Sequence, residues 1–256
     1  QVTPYLLTDA SRPTTLKTRF VADGQQLLRT DHEVSAAIAA DMEEQALQRL
    51  RGALDHCDVL ILSDYAKGVL TRRVIAEAIA QAKALGKPVL IDPKGRDFAR
   101  YRGAFLLTPN RRELTEATGI AIRTVIDAET AARQLIAAHD LGGVLAKLGG
   151  DGVCLVLKDQ PAQHFRATAR EVYDVSGAGD TVVATMALAL AGGISPQDSA
   201  ALANIAGSIV VGKIGTASVS REELAQELVH DQSRQSEEKV CSFAQVGELA
   251  ERWRKQ

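Results

Sequence analysis

Short apolar runs alternate with amphipathic segments along most of this chain of 256 residues. The runs "DVLILS", "PVLID", "AFLLTPN" and "GGVLAKLGG" occupy residues 58–63, 88–92, 104–110 and 142–150. Continuous runs of this kind predict strands that are buried on both faces of a parallel sheet. The segments between them have helical periodicity, over residues 71–85, 111–119 and 127–139. We therefore expect an α/β fold, a mainly parallel sheet flanked by helices.

The remaining segments extend this pattern. Residues 1–33 alternate around a turn at Asp23–Gly24 and predict a β-hairpin, which we assign to a small lid. Helical periodicity then covers residues 33–54, "GVCLVL" predicts a further strand paired through the preceding glycine turn, and helices follow at about 179–191 and 197–211. We divide the chain into the hairpin segment 1–33, a core over 34–230 and a tail over 231–256. Because the chain opens on Gln in what reads as mid-sequence, we expect that an N-terminal portion is missing.

Composition excludes several classes of protein. The formal net charge of −2 provides no basic field for nucleic acid. The longest apolar runs are too short to span a bilayer, so we expect no membrane segment. The three cysteines are far apart in the sequence, which favours a reduced, cytoplasmic setting. The five histidines lack metal-ligand spacing, so a structural zinc site is not expected.

The stretch "DVSGAGDT", residues 174–181, places Gly177, Ala178 and Gly179 directly before Asp180 and an apolar helix. Small residues let a ligand approach the backbone closely, and the first amides of a helix have no partners within it. Together with the helix dipole they form a site suited to phosphate. Asp180 could accept a proton from a hydroxyl there, so the pattern fits phosphoryl transfer.

The same residues allow other interpretations. Asp180 could simply stabilise the helix N-terminus, with the glycines forming a tight turn. A dinucleotide fingerprint fails because Val182 stands where a small residue is needed. A P-loop fails because Ile214 follows the lysine of "GSIVVGK".

Further candidates follow the ends of the predicted strands, where parallel sheets bind ligands. Asn110 and Glu113 are three residues apart at the start of a helix and could hold a hydrated Mg²⁺, or could form only a helix cap. Two strand-end loops each contain an acid and a lysine, a pattern that suits an anionic substrate or two solvated lysines: Asp64 with Lys67, and Asp92 with Lys94. Lys147 ends a strand before two glycines and could contact a nucleotide phosphate or reach solvent.

Taken together, "DVSGAGDT", "NRRE", "KLGGDG" and "ANIAGSIVVGKIGT" resemble the motifs of the ribokinase-like (PfkB) family of sugar kinases, in the same order. The resemblance implies a ribokinase-like fold and phosphorylation by ATP with Mg²⁺. It implies that Asp180 is the catalytic base, that residues 177–179 form an anion hole, and that Asn110 and Glu113 organise the metal and the phosphates. It places in the nucleotide region Gly149, Gly152 and Asn204, with Asn110 and Lys147 beside them. Asp174 falls where family members bind a monovalent cation such as K⁺.

Within the family, "LSDYAKGVL", "VLIDPKGRDFARYRGAFLLTPNRREL" and "VVGKIGTASVS" are most similar to kinases of heptose 7-phosphate. This similarity implies transfer of phosphate to the anomeric hydroxyl, giving heptose 1,7-bisphosphate for the lipopolysaccharide core. The loop lysines, with Arg19 and Arg29 of the hairpin, would select the existing phosphate, and a lid hairpin implies a homodimer. The alternatives are a kinase of another sugar or a non-catalytic binding module, since the family's opening aspartate strand and GG…N motif do not occur in this sequence.

Overall fold

The computed structural model describes residues 2–22, 25–168 and 173–238. Near its start, strands β1 (Leu16–Ala22) and β2 (Gln25–His32) pair antiparallel as a two-stranded sheet. The predicted hairpin is therefore confirmed, while its turn at Asp23–Gly24 lies outside the described residues. Every residue of both strands is exposed, so the hairpin projects from the rest of the fold.

A second sheet has six strands, arranged in space in the order in which they occur in the chain: β3 (Leu60–Ser63), β4 (Val89–Asp92), β5 (Leu106–Leu107), β6 (Gly143–Lys147), β7 (Val153–Leu157) and β8 (Gln163–Phe165). The first four strands are parallel, and β7 and β8 run antiparallel to their neighbours. The mainly parallel sheet is therefore as predicted. The carboxyl ends of β3 to β6 meet at one edge, where ligands bind in sheets of this kind.

Seven α-helices lie in the described part of the chain: α1 (Ala40–Leu54), α2 (Arg72–Ala84), α3 (Arg111–Thr118), α4 (Val125–His139), α5 (Ala178–Ala191), α6 (Pro196–Val211) and α7 (Arg221–Glu238). Two hydrophobic clusters cover the two faces of the sheet. Val89 and Ile91 of β4 pack with α2 and α4, whereas Leu90 packs with α5 and α6. Successive side chains of a strand point to opposite faces of the sheet, and here both faces are buried. This explains why the strand sequences are apolar throughout.

The close contact between α5 and α6 depends on a small residue. A Cβ atom at Gly207 would lie 2.9 Å from a methyl group of Val182. The Ala- and Gly-rich surfaces of these helices therefore pack tightly and hold the start of α5 at the sheet edge. Among the described residues, no helix is both long and apolar enough to cross a membrane.

Several boundaries differ from the prediction. Helix α1 begins at Ala40, because residues 33–39 instead pack beside the loop after β3, where the Ile38 amide donates to the Gly68 carbonyl. The third strand was expected within residues 104–110 but contains only Leu106–Leu107. It ends there because Pro109 has no amide hydrogen to donate and Asn110 already caps α3. Strand β8 and helix α7 were not predicted, and α7 continues past residue 230, where the tail was assigned.

Candidate active site

The N-terminus of α5 faces the carboxyl edge of the sheet. Gly177 precedes it in the left-handed conformation, with φ of 79°, which glycine adopts without strain. Ala178, Gly179 and Asp180 form its first turn, and among the described residues no side chain caps it. Thr181 donates both its amide and its hydroxyl to the Gly177 carbonyl, which fixes the turn. The helix therefore presents uncapped amides at its positive end, the arrangement that binds anions.

Asp180 differs from the acids at the same position of other helices. Four helices also carry an acid as their third residue, and each carboxylate hydrogen-bonds back to the residue before the helix: Glu113 with Asn110, Asp127 with Thr124, Asp198 with Ser195 and Glu223 with Ser220. Asp180 is exposed, and its carboxylate has no hydrogen bond or ion pair to the rest of the described chain. A purely structural acid would be expected to form such a capping box.

Lys147 connects the sheet edge to this helix tip. Its Nζ lies 2.6 Å from Oδ1 of Asp92, and both side chains are mostly buried. The same Nζ lies 3.5 Å from the position that a Cβ atom on Gly179 would occupy. The structure thus brings together three residues that the sequence placed in separate motifs, and it adds a positive charge beside the uncapped amides.

Asn110 and Glu113 form a reciprocal capping box at the start of α3. The Asn110 Oδ1 accepts from the Glu113 amide at 2.9 Å, and Glu113 Oε2 accepts from the Asn110 amide at 3.0 Å. Glu113 Oε1 also pairs with Lys94 Nζ at 3.0 Å. The helix cap, which is the alternative interpretation of these two residues, is therefore present. Each of these oxygens accepts one such bond and retains capacity for a metal-bound water.

Asp64 is tied into a buried network. Its two carboxylate oxygens accept from the Ala66 amide at 2.7 Å and from the Tyr101 hydroxyl at 2.7 Å. The Tyr101 hydroxyl in turn accepts from the Lys94 amide, so it joins the loops that follow β3 and β4. Burial raises the pKa of the Tyr101 hydroxyl well above its ordinary value, so it remains a donor.

Lys67 lies on the loop after β3 and faces the base of the hairpin. Its ammonium pairs with Glu33, whose other oxygen lies 3.0 Å from Lys17 of β1. Arg19 and Arg29 are partners across the two strands of the hairpin, and Arg29 pairs with an acid of its own strand. The predicted phosphate-binding cations of the loop and the hairpin thus belong to one charged region.

The predicted nucleotide residues fall around the turn between β6 and β7. Gly149 has φ of 62° and open space on the side where a Cβ atom would lie. At Gly152 a Cβ atom would be 2.0 Å from the Phe165 carbonyl oxygen, so this glycine is required by the pairing of β7 with β8. Asn204 is buried on α6, and its amide donates to the Arg166 carbonyl at 2.8 Å.

Asp174 lies just before the α5 turn. Its carboxylate accepts from the Ser176 amide at 2.8 Å. Hydrogen bonds from Ser176, and from the amide of Gly215 in the loop after α6, hold the pKa of the Asp174 carboxyl below its ordinary value. Within the described residues, no group of three or more His, Cys, Asp or Glu side chains could hold a metal ion by itself.

Three residues of this region were not predicted: Thr108, Tyr101 and Glu33. The Thr108 hydroxyl donates to Asp92 Oδ1 at 3.1 Å, and Tyr101 and Glu33 hold the lysine-bearing loops. Their contacts join residues 16 to 37 positions apart. The local sequence around these three residues therefore gives no signal that could have identified them.

Comparison with solved structures identifies the fold. The chain aligns with phosphofructokinase-2 of Escherichia coli in complex with potassium at a TM-score of 0.69 and 21% identity, covering 83% of this chain and 68% of that one. It aligns with Arabidopsis thaliana ribokinase complexed with ribose and ATP at a TM-score of 0.67 and 23% identity, covering 84% and 69%. The architecture is therefore the ribokinase-like α/β fold.

The family model described as pfkB family carbohydrate kinase matches residues 2–223, and the chain belongs to this family. A curated relative, the bifunctional protein HldE of Paramagnetospirillum magneticum, is 45% identical over 255 residues, covering 100% of this chain and 52% of that protein. The bifunctional protein HldE of Caulobacter vibrioides is 46% identical, covering 97% and 51%. The chain thus spans about half the length of the curated relatives it matches.

Proposed function

We propose that the protein transfers the γ-phosphoryl group of ATP to the anomeric hydroxyl of heptose 7-phosphate, giving heptose 1,7-bisphosphate for the lipopolysaccharide core. The observation that carries this proposal is the uncapped tip of α5 with the unpaired carboxylate of Asp180 in its first turn. Membership of the carbohydrate kinase family supports phosphoryl transfer to a sugar. The heptose substrate is supported by the similarity of the loops after β3, β4 and β5 to those of heptose 7-phosphate kinases.

Asp180 acts as the general base in this proposal. The anomeric oxygen attacks the γ-phosphorus as its proton passes to the Asp180 carboxylate, and the bond from phosphorus to the β,γ-bridging oxygen breaks to release ADP. The amides of residues 177–180 then lie where negative charge develops on the transferring group. Lys147, beside Gly179, adds a second positive group at this point.

The donors on α3 fit a hydrated divalent cation. Asn110 and Glu113 provide amide and carboxylate oxygens, the ligands that Mg²⁺ accepts through its water shell. When bound, Mg²⁺ neutralises charge on the ATP phosphates. Gly149, Gly152 and Asn204 complete the nucleotide region in this proposal, and Asp174 with the loop after α6 is the candidate site for K⁺.

The phosphate at position 7 of the sugar is assigned to Lys67 and Lys94, with Arg19 and Arg29 of the hairpin. Both lysines already pair with carboxylates of this chain, Glu33 and Glu113. A phosphate must therefore exchange with these partners or share the ammonium groups with them. Asp64 remains a predicted sugar contact, although both of its oxygens accept hydrogen bonds within the protein.

A homodimer formed through the hairpin completes the proposal. The hairpin exposes five large apolar side chains, three on β1 and two on β2: Leu16, Phe20, Val21, Leu27 and Leu28. Exposed apolar surface of this kind is typical of an interface rather than of a solvated lid. Sedimentation of the full-length protein would test the dimer.

Substitution of Asp180 by Asn tests the catalytic role. With ATP and heptose 7-phosphate, we expect kcat to fall by about 10²- to 10⁴-fold because the general base is lost. The matched control is Asp198→Asn, which removes the same charge at the same position of α6, where Ser195 caps the helix. Both changes weaken the charge–dipole interaction by about 0.3–1 kcal/mol, so both proteins remain folded. Near-normal turnover in the Asp180 variant would exclude this mechanism.

The substrate is tested separately. Heptose 7-phosphate should give a higher kcat/KM than other sugar phosphates or than the sugar without its phosphate, because the loop cations bind the existing dianion. Equal turnover of an unphosphorylated sugar would overturn the heptose assignment while leaving the kinase assignment in place.

A further inference from the structure

We infer that Asp92 is a positioning residue that holds the Lys147 ammonium at the tip of α5, rather than a contact to the sugar. The inference rests on the proposed function, because it assigns the ammonium to the phosphoryl group in transfer. It is carried by the 2.6 Å contact between Lys147 Nζ and Asp92 Oδ1 and by the proximity of the same Nζ to Gly179.

Asp92 is itself held in place from the neighbouring strand. Its Oδ1, the oxygen that contacts Lys147, also accepts from the Thr108 hydroxyl at 3.1 Å. Thr108 is fully buried, and its hydroxyl lies 3.2 Å from the Ile91 carbonyl oxygen. A buried hydroxyl keeps its hydrogen-bond partners. The carboxylate orientation is therefore set by the ends of β4 and β5.

Lys147 needs such a partner for two reasons. Its side chain is only 13% exposed, and a largely buried ammonium is costly without a counter-charge. A lysine stem also has several rotatable bonds, so a free ammonium would sample many positions. The Asp92 carboxylate supplies the charge and selects the rotamer that points toward α5.

This rotamer places the Lys147 ammonium where the proposed phosphoryl transfer needs a positive charge. The Nζ lies 3.5 Å from where a Cβ atom of Gly179 would be, next to the uncapped amides and one residue from Asp180. Groups fixed before the reaction stabilise developing charge without reorganisation at the moment of transfer. An ammonium held by Asp92 meets this condition, whereas a mobile one must be ordered in each turnover.

A sugar contact predicts different behaviour for Asp92. A carboxylate that binds the sugar hydroxyls contributes mainly to sugar affinity, and it does so whether or not Lys147 is present. A positioning carboxylate acts through Lys147 alone. The two roles therefore separate in a double-mutant cycle, and they separate again in the split between kcat and the KM for the sugar.

The experiment uses the full-length protein with Asp92→Asn, Lys147→Met and the double substitution. We expect Asp92→Asn to lower kcat about 10-fold or more with little change in the KM for the sugar, and to have no further effect once Lys147 is Met. The control is Asp140→Asn, which breaks an exposed pair with Lys158 at the opposite end of β6 from Lys147 and should leave kcat unchanged. Independent, multiplying losses, or a loss confined to the KM for the sugar, would overturn the inference.

A second readout needs no turnover. Ammonium protons of lysine are visible by NMR in isotope-labelled protein when an ion pair protects them from exchange with water. We expect one such signal to disappear in both Lys147→Met and Asp92→Asn, and to weaken in Thr108→Val. Persistence of the signal in Asp92→Asn would overturn the inference. A wild-type protein that phosphorylates no sugar overturns the proposed function instead, and the NMR result then decides the positioning role by itself.

Discussion

Replacing Gly152 by Ala tests whether the glycine turn between β6 and β7 is required by the backbone or by the nucleotide. Gly152 has φ of 83° and ψ of −137°, a conformation that residues with a side chain rarely adopt. A Cβ atom there would lie 2.0 Å from the Phe165 carbonyl oxygen and 2.6 Å from the Ala167 amide nitrogen. Because both neighbours are backbone atoms, no change of rotamer can relieve the overlap.

The magnitude follows from two contributions. The backbone conformation costs about 1–3 kcal/mol for a residue other than glycine. Moving β8 away from the new methyl group costs about another 1–3 kcal/mol, as overpacking does elsewhere. The free energy of unfolding should therefore fall by about 2–6 kcal/mol, a large part of the roughly 5–15 kcal/mol that stabilises a typical domain.

Gly149 provides the matched control in the same turn. Its φ of 62° is also positive, but nothing lies within 4 Å of where its Cβ atom would be. Gly149→Ala should therefore cost only the left-handed conformation, about 1–2 kcal/mol. Comparing the two variants isolates the overlap with β8 from the backbone conformation.

Equilibrium unfolding in urea measures both changes. The midpoint should shift further for Gly152→Ala than for Gly149→Ala, with an unchanged dependence of the free energy on urea concentration. Binding of ATP, measured where each variant is fully folded, supplies the second readout. Equal losses of stability in the two variants would refute the structural reasoning. A fully stable Gly152→Ala that no longer binds ATP would also refute it, and would show that the nucleotide requires this glycine.

Two further predictions concern the buried Cys154 and the half-buried His139. Burial raises the pKa of the Cys154 thiol to about 11. A thiol reagent near neutral pH should therefore modify Cys154 only after unfolding, which peptide mass spectrometry can measure. Rapid labelling of Cys154 in the native protein would contradict this prediction. Burial, with repulsion from Arg102, lowers the pKa of His139 in the folded protein below its ordinary 6.5. The stability that neutral His139 contributes is therefore present above pH 6.5, and it is lost as pH falls from 6.5 through the pKa of the folded state. His139→Gln should flatten the dependence of the urea midpoint on pH in that range, and parallel profiles for the two proteins would show that His139 is not the cause.

The periodicity of the sequence predicts most of the fold because packing and local pattern agree there. The runs at β3, β4 and β6 are apolar throughout since the sheet is covered on both faces. The prediction fails where long-range contacts override local pattern. Residues 33–39 have helical periodicity, yet Glu33 pairs with Lys67 and the Ile38 amide bonds to Gly68, so the helix starts only at Ala40. Strand β8 has three residues, too few for alternation to be recognised.

The candidate site shows the same division. The motif at residues 174–181 identifies the α5 tip from sequence, because close backbone approach requires glycine and the proposed phosphoryl transfer requires an acid. The pairing of Lys147 with Asp92 could not be predicted, since 55 residues separate them and only the sheet brings them together. Sequence places cations and carboxylates at one edge of the sheet without showing which of them neutralise each other.

The ion pairs at the sheet edge determine which kinds of ligand can bind there. Each of the three lysines at the sheet edge, Lys67, Lys94 and Lys147, already has a carboxylate partner, so the edge is held together without a ligand. A weakly charged ligand gains little by competing with a carboxylate that is already in place. A phosphate dianion brings more charge and three acceptor oxygens, so it can share an ammonium group with that carboxylate. Asp180 has no cation partner in the described chain, which leaves its oxygens available to a hydroxyl proton. The arrangement thus favours phosphorylated ligands at the lysines and keeps the proposed base unoccupied.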